Sequence, residues 1–299
     1  MDFERIEYSE NSVKLVGCKN FNVKQTIECG QCFRWEKINE DNYIVIAHER
    51  VIELEQRGTD VLILNTSKED FENIWLDYFD LERDYSMIKV ELSKDELLKK
   101  AVEYGYGIRL LNQDPYEILI SFIISARNSI PIIMKTIRRI SERWGKELDY
   151  KGKKYFAFPT IEEFSKASLE EIVETGASFR SKYIYDTLIK LNEAKGNRDN
   201  EFSLERITYL EDDECHSELQ KFKGVGAKVA DCIMLFSMKK YSAFPVDVWV
   251  KRAMQHFYLA PDVSLPKIRV FGRNKFGKLS GFAQQYLFYY ARENKIKID

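Results

Sequence analysis

The feature that most constrains this chain is the run Leu219-Gln220-Lys221-Phe222-Lys223-Gly224-Val225-Gly226-Ala227-Lys228-Val229-Ala230-Asp231. Apolar residues recur at helical spacing on both sides of Gly-Val-Gly, so one helix ends and another begins within a few residues. Two glycines one residue apart let the backbone turn tightly and approach another surface closely. The first amides of the second helix lack intrahelical partners, and with the helix dipole they form an anion site suited to a phosphate. The spacing predicts a helix-hairpin-helix over about residues 217–238. Taken alone it also fits a plain helix–helix connection, where glycine is common.

Lys228 stands in the first turn of that second helix. The positive end of a helix dipole disfavours an ammonium, which suits a lysine to nucleophilic attack; the alternative is a surface lysine touching phosphate. Phe244-Pro245-Val246-Asp247-Val248-Trp249 changes the balance. If the chain returns along the second helix, Asp247 faces Lys228 while capping its own helix. An amine and a carboxylate so placed form an attack pair, and the carboxylate can stabilise positive charge developing on a sugar.

Short β-branched and aromatic segments (Phe33–Trp35, Tyr43–Ala47, Asp60–Leu64) separated by polar turns fill the first hundred residues. Asn39–Asn42 suits a hairpin, and Ser67 a helix cap. From about Leu110 the periodicity is helical, opening at Asp114-Pro115. Helices are expected over 116–143, 161–175, 180–194, 217–222, 226–238, 247–258 and 281–293, with 195–213 as a loop. The fold class is therefore α+β: an antiparallel β-rich domain over 1–109, then an all-helical region over 110–299 with two helical subdomains.

The net charge of −2 does not advertise a polyanionic partner, but its distribution does. Residues 1–100 are net −8 and the remainder net +6, with 127–146 and 219–252 each net +5. Such local patches can bind phosphates. No apolar run approaches the roughly 18 residues of a membrane span, and the acidic start Met1-Asp2-Phe3-Glu4 lacks a signal-peptide pattern. An intracellular protein is expected, with its five cysteines as free thiols. Cys29-Gly30-Gln31-Cys32 has redox spacing without the βαβ context that would support it. Three scattered histidines make no zinc site, and no cysteine follows Cys232 to complete an iron–sulfur cluster.

Gly224-Val225-Gly226-Ala227-Lys228-Val229-Ala230-Asp231-Cys232 followed by Pro245-Val246-Asp247-Val248 resembles the signature of the helix-hairpin-helix DNA glycosylases. It is most similar to the 8-oxoguanine DNA glycosylase/AP lyase branch. Gly30–Trp35 resembles that branch's N-terminal segment, Gly107–Pro115 its entry into the helical part, and Gly281–Phe288 its pocket helix. The resemblance implies a bifunctional base-excision repair enzyme. Damaged DNA is bent, the lesion is flipped out, Lys228 attacks C1′ to give a Schiff base, and β-elimination nicks the strand. It further implies that Asp247 assists, that the Gly30 carbonyl accepts from N7–H of 8-oxoguanine, that Gln284 reads the Watson–Crick edge, and that Phe288 and Cys232 sandwich the ring.

Gly224 and Gly226 would meet DNA phosphate. For the orphaned partner base the family pattern has an Asn and two Arg. Here Arg127 stands at the Asn position with Asn128 beside it, Ile132 replaces one Arg, and Arg180 matches the other, preceded by Phe179 in place of Tyr. Trp249 stands where the pattern has a phosphate-contacting His. These departures imply relaxed opposite-base specificity. The expected partner is double-stranded DNA containing 8-oxoguanine, met by a monomer with no membrane association, in cytoplasm or nucleoid if bacterial and in the nucleus if eukaryotic. No cofactor is expected beyond a structural monovalent cation on the hairpin carbonyls, and no metal-ligating residue is expected. Two other readings stay open: a glycosylase for alkylated or mismatched bases, and a non-catalytic DNA-binding module.

Overall fold

The computed structural model describes residues 1–259 and 262–295. Strands β1 (Arg5–Ser9), β2 (Ser12–Val16), β3 (Trp35–Asn39), β4 (Asn42–Ala47), β5 (Arg50–Arg57) and β6 (Asp60–Leu64) form one antiparallel sheet ordered β1-β2-β6-β5-β4-β3. The register pairs Val13 with Ile63, Ile63 with Leu54, and Leu54 with Tyr43, all fully buried, so one face of the sheet is apolar. Phe71, Trp75 and Phe79 from the helical turns that follow cover that face. Asn39 does pair with Asn42 across the β3–β4 hairpin, and Ser67 Oγ accepts from the Asp70 amide as a cap. A helix that the β-rich reading missed, α1 (Val23–Glu28), lies between β2 and β3, capped by Asn22.

The helical part comprises α2 (Tyr85–Leu92), α3 (Glu96–Tyr104), α4 (Pro115–Ser125), α5 (Ile130–Trp144), α6 (Ser181–Ala194), α7 (Leu204–Tyr209), α8 (Asp212–Leu219), α9 (Ala227–Ser237), α10 (Val248–Phe257), α11 (Leu265–Phe276) and α12 (Ser280–Glu293). α4 is its central helix, buried at every position from Ile118 to Ile124. Asp114 caps it through the Glu117 amide, as its sequence signals. No described helix is long and apolar enough to cross a membrane.

Four local expectations differ from the structure. The helix expected over 116–143 breaks between α4 and α5. Arg127 takes a left-handed conformation (φ 52°) and Pro131 starts the next helix, which a proline inside a continuous helix could not do. The expected loop over 195–213 contains α7 and the start of α8, each wound by a few apolar residues on the core. The segment 161–175 is not one helix but two short turns, Ile161–Phe164 and Leu169–Ile172, each with its own Thr or Ser cap. The region expected to be all-helical carries a two-stranded hairpin, β7 (Glu147–Tyr150) and β8 (Lys153–Phe156), turning through Lys151 and Gly152, both at positive φ. That hairpin reaches back to the sheet, where Glu53 Oε2 accepts from Tyr150 Oη and Lys151 Nζ, each at 2.7 Å.

Polar side chains sew the two parts together. The buried amide of Gln31 donates to the carbonyls of Thr26 and Arg109 and accepts from the Leu111 amide. Arg109 has no exposure; it pairs with Asp2 at 2.8 Å and donates to the carbonyls of Phe79, Asp80, Arg83 and Asn20. Burial alone would raise the Asp2 pKa, but Arg109, the Tyr85 amide and Asn20 outweigh it and hold the carboxyl below its ordinary value. Its contribution to stability is therefore present above the unfolded carboxylate pKa of about 4 and is lost as pH falls through the lower folded value. Arg109→Met strands the Asp2 carboxylate and should cost roughly 3–5 kcal/mol in urea unfolding at neutral pH. A loss below about 1 kcal/mol would show that the guanidinium does not hold this seam.

Candidate active site

The predicted hairpin forms between α8 and α9. Gly224 sits at φ 86°, and a Cβ there would lie 2.6 Å from the Tyr183 ring on α6, so this position needs glycine for both conformation and space. Gly226 is the extended N-cap residue of α9, with open space where a side chain would be and no side chain capping the helix. The amides at this end are thus available to an external anion. Behind them the start of α9 is tied down twice. Asp231, fully buried, takes a two-bond pair from Arg269 on α11 at 2.6 and 2.8 Å, and His216 on α8 meets the Ala227 carbonyl at 3.2 Å. Burial lowers the His216 pKa against the pull of Asp231, which favours the neutral imidazole.

Lys228 projects from the first turn of α9, half-buried, with its Nζ 5.3 Å from the centre of the Phe122 ring on α4. One turn on, Cys232 is buried; burial pushes its pKa up to about 11, opposed by the charge and hydrogen bond of Lys228. Asp247 is the N-cap of α10, its Oδ1 accepting from the amides of Trp249 (3.0 Å) and Val250 (2.8 Å). Burial raises its pKa, opposed by those two amides and by the charges of Lys228 and Arg292. Lys228 and Asp247 are thus near enough for their charges to act on each other without forming an ion pair, with an apolar ring beside the amine and a carboxylate fixed by its cap bonds.

A second group of residues meets from opposite ends of the chain. Gly30 lies at φ 87°, and a Cβ on it would come within 3.2 Å of both Phe288 and Arg292 on α12. Gln285 Nε2 donates to the Cys29 carbonyl at 3.0 Å, and Arg292 Nη2 to the Glu28 carbonyl at 2.9 Å. Gln284 is only 4% exposed, yet its Oε1 has no hydrogen-bond partner. A buried acceptor without a donor is costly and calls for an explanation. Two surface clefts of about 530 and 590 Å³ lie elsewhere, around α5 with β8 and around Asp114 with His48, and neither includes Lys228, Asp247, Gln284 or Phe288. Cys232 and Gln284 are buried, while Lys228 and Phe288 are partly exposed.

Residues 15–119 match the family model for the 8-oxoguanine DNA glycosylase N-terminal domain, and 120–270 match that for HhH-GPD superfamily base excision DNA repair proteins. The chain belongs to the 8-oxoguanine DNA glycosylase family. It resembles the Clostridium acetobutylicum 8-oxoguanine glycosylase/lyase, solved with double-stranded DNA containing cytosine opposite 8-oxoG. The TM-score is 0.95, with 57% identity over 99% of this chain and 100% of that one. It is 33% identical to the N-glycosylase/DNA lyase of Arabidopsis thaliana over 88% of this chain and 75% of that protein. To a probable N-glycosylase/DNA lyase of Methanothermobacter thermautotrophicus it is 30% identical, over 77% of this chain and 76% of that protein.

In this glycosylase the residues expected to face the orphaned base also cluster. Arg127 and Asn128 form the corner between α4 and α5, Ile132 follows in the first turn of α5, and Phe179 and Arg180 lie in the turn before α6. Ile132 and Phe179 are each 52% exposed, whereas Arg180 is buried. Its guanidinium is occupied by the corner itself, donating to the carbonyls of Ala126 (2.8 and 2.5 Å) and Arg127 (3.0 Å) while stacking 4.4 Å over Phe179. Trp249 carries the guanidinium of Arg252 at 5.0 Å. All five cysteines are buried free thiols, and no described cluster of three or more His, Cys, Asp or Glu could hold a metal. Phe122, Gln285 and Arg292 escaped the sequence reading; their partners lie far along the chain, and only the adjacency of Gln285 to Gln284 pointed at one of them.

Because burial raises the Asp247 pKa, its ionised form is disfavoured in the folded protein relative to the unfolded chain. Asp247→Asn keeps an amide oxygen for both cap bonds and removes that charge. The variant should melt at or above the wild-type temperature at pH 7. A fall in Tm of more than about 3 °C, on the order of 1 kcal/mol for a chain of this size, would show that the carboxylate is there to hold the fold.

Proposed function

We propose that this protein excises 8-oxoguanine from duplex DNA through a covalent bond to Lys228 and then nicks the strand. The observation that carries this reading is that Lys228, in the first turn of α9, and Asp247, the cap of α10, lie within reach of each other's charge, the carboxylate being one that burial makes a stronger proton acceptor than usual. The hairpin amides at Gly226 and the glycine turn at Gly224 would take a phosphate of the same strand, placing the sugar over α9. The lesion flips out and parts the walls formed by Gly30, Gln284, Phe288 and Cys232.

The neutral Lys228 amine forms a bond to C1′ through its lone pair as the C1′–N9 bond breaks, and the proton it then sheds passes to the Asp247 carboxylate. The bonding pair leaves with the base, which takes up a proton. The sugar ring then opens to a Schiff base, and removal of a C2′ proton expels the 3′ phosphate. The Asp247 carboxylate lies where positive charge develops on the sugar, and such fixed charges are worth several kcal/mol in a site closed to water. The Gly30 carbonyl accepts N7–H, which guanine lacks, a difference of about 1–3 kcal/mol when the wrong base leaves the acceptor unpaired. The orphaned Gln284 Oε1 gains a donor from the base's Watson–Crick edge. Phe288 and Cys232 supply the faces that hold the ring.

No step calls on a cofactor. A monovalent cation at the hairpin would rest on backbone carbonyls alone, one of which, on Lys221, already accepts from Lys190 Nζ, and would act on structure only. The protein acts as a monomer on double-stranded DNA inside the cell. On the orphaned base, Ile132 offers no hydrogen bond and Arg180 is held by its own loop, so cytosine loses the contacts that would single it out, while Phe179 and Arg127 fill the gap without reading it.

Borohydride trapping tests the chemistry. Wild type should become covalently linked to an 8-oxoguanine duplex, and Lys228→Gln should not; a trapped complex formed by Lys228→Gln would remove the lysine from the mechanism. Across the four possible opposite bases, trapping rates should agree within about tenfold, against the 1–3 kcal/mol that a good bidentate base contact supplies. A preference for cytosine above a hundredfold would show that Arg180 leaves its loop to read the base.

A further inference from the structure

Arg292 has no part in the scheme above, yet it touches three components of the pocket at once. Its Nη2 donates to the carbonyl of Glu28, the last residue of α1, at 2.9 Å. Its Nη1 lies 3.2 Å from where a Cβ of Gly30 would stand. Its guanidinium sits 5.3 Å from the centre of the Phe288 ring and 5.5 Å from that of Tyr289, within cation–π range. The side chain is only 18% exposed, its Nε is fixed by Glu293 at 2.8 Å, and its charge reaches the Asp247 carboxyl.

We infer that Arg292 is a positioning residue of the base pocket, clamping the Gly30 segment to the Phe288 face so that carbonyl and ring meet the lesion in one geometry. The inference rests on the proposed excision of 8-oxoguanine and adds a residue to it. Glu28 and Gly30 are two residues apart at the end of α1, and Gly30 takes a positive φ that a side chain would strain. A carbonyl that must accept a hydrogen bond from N7–H needs its direction set, and the hold of Arg292 on the Glu28 carbonyl, two residues back, anchors the segment that carries it. Gln285 holds the Cys29 carbonyl between them, so two α12 side chains grip consecutive carbonyls. The planar guanidinium does what an aliphatic side chain cannot, pairing a carbonyl in its plane while lying against an aromatic ring. Small misplacements of such groups cost rate without unfolding the protein.

The test separates recognition of the base from chemistry on the sugar. A preformed abasic site bypasses the pocket but still needs Lys228 and the hairpin. Arg292→Met should lower kcat/KM on an 8-oxoguanine duplex by about 10- to 30-fold while nicking of the abasic duplex stays within about twofold. Arg292→Lys restores a cation and one donor but not the planar stack, and should recover part of the loss. Unchanged 8-oxoguanine excision by Arg292→Met overturns the inference, and so does a parallel fall of both activities, which would mark a merely structural role. Wild type that nicks abasic duplex but fails on 8-oxoguanine would sink the substrate reading, and the clamp's purpose with it.

Discussion

A guanidinium with no access to water has to be satisfied by the chain itself, and Arg109 is where this protein meets that demand. An unpaired buried cation would cost several kcal/mol, a large share of a fold's net stability, so the residues around Arg109 are not free to drift. Asp2, the carbonyls of Phe79, Asp80 and Arg83, and the Asn20 carbonyl are all drawn to one point. The start of the chain, the end of the sheet's covering turns and the entry to α4 are thereby fixed to one another. Gln31 then reads the same segment through Arg109 and Leu111, and Gly30 comes to rest beside α12. The proposed pocket would thus be a by-product of satisfying a buried charge: its N-terminal wall is placed by the seam and its other wall by the helical core.

The proposed catalytic pair follows a similar economy on the other side. Asp247 performs two tasks with one carboxylate, capping α10 with Oδ1 and facing the charge of Lys228. Capping fixes its rotamer, so no further residue is needed to aim it. Lys228 is placed by a helix that cannot slide, because Asp231 and His216 anchor the same turn to α11 and α8. Sites on anchored helix ends hold their geometry better than sites on loops. The burial that raises the Asp247 pKa works against stability and in favour of proton transfer, the usual sign of a group kept for chemistry.

Much of this was legible in the sequence because it is local. The hairpin, the caps at Ser67, Asp114 and Asp247, the β3–β4 turn and the change from period-two to helical patterning are all written within a few residues. The misses share a cause. At 126–129 apolar spacing continues on both sides of the corner and hides it, although Pro131 marks the restart. In 195–213 a polar composition concealed α7, which is wound by a few apolar residues. Lys151 and Gly152 make a hairpin only because Glu53, almost a hundred residues earlier, receives it. Arg109 and Arg292 bond to backbone carbonyls, and a carbonyl has no sequence signature, so no pattern in the chain announces either.

The contrast between the two sides of the flipped-out base carries the argument one step further. On the proposed lesion side every polar group has a fixed partner or a defined lack of one: the Gly30 segment is gripped by Gln285 and Arg292, and Gln284 keeps one bare acceptor. On the orphan side Ile132 and Phe179 are exposed and apolar, and the exposed Arg127 stands beside them, while the Arg180 guanidinium holds the carbonyls of Ala126 and Arg127 in a corner whose left-handed φ needs support. Rigidity of that corner and reading of the opposite base make competing demands on the same side chain. Under the proposed reading the loop keeps Arg180, because its carbonyls are present in every state of the protein whereas the base is present in only one.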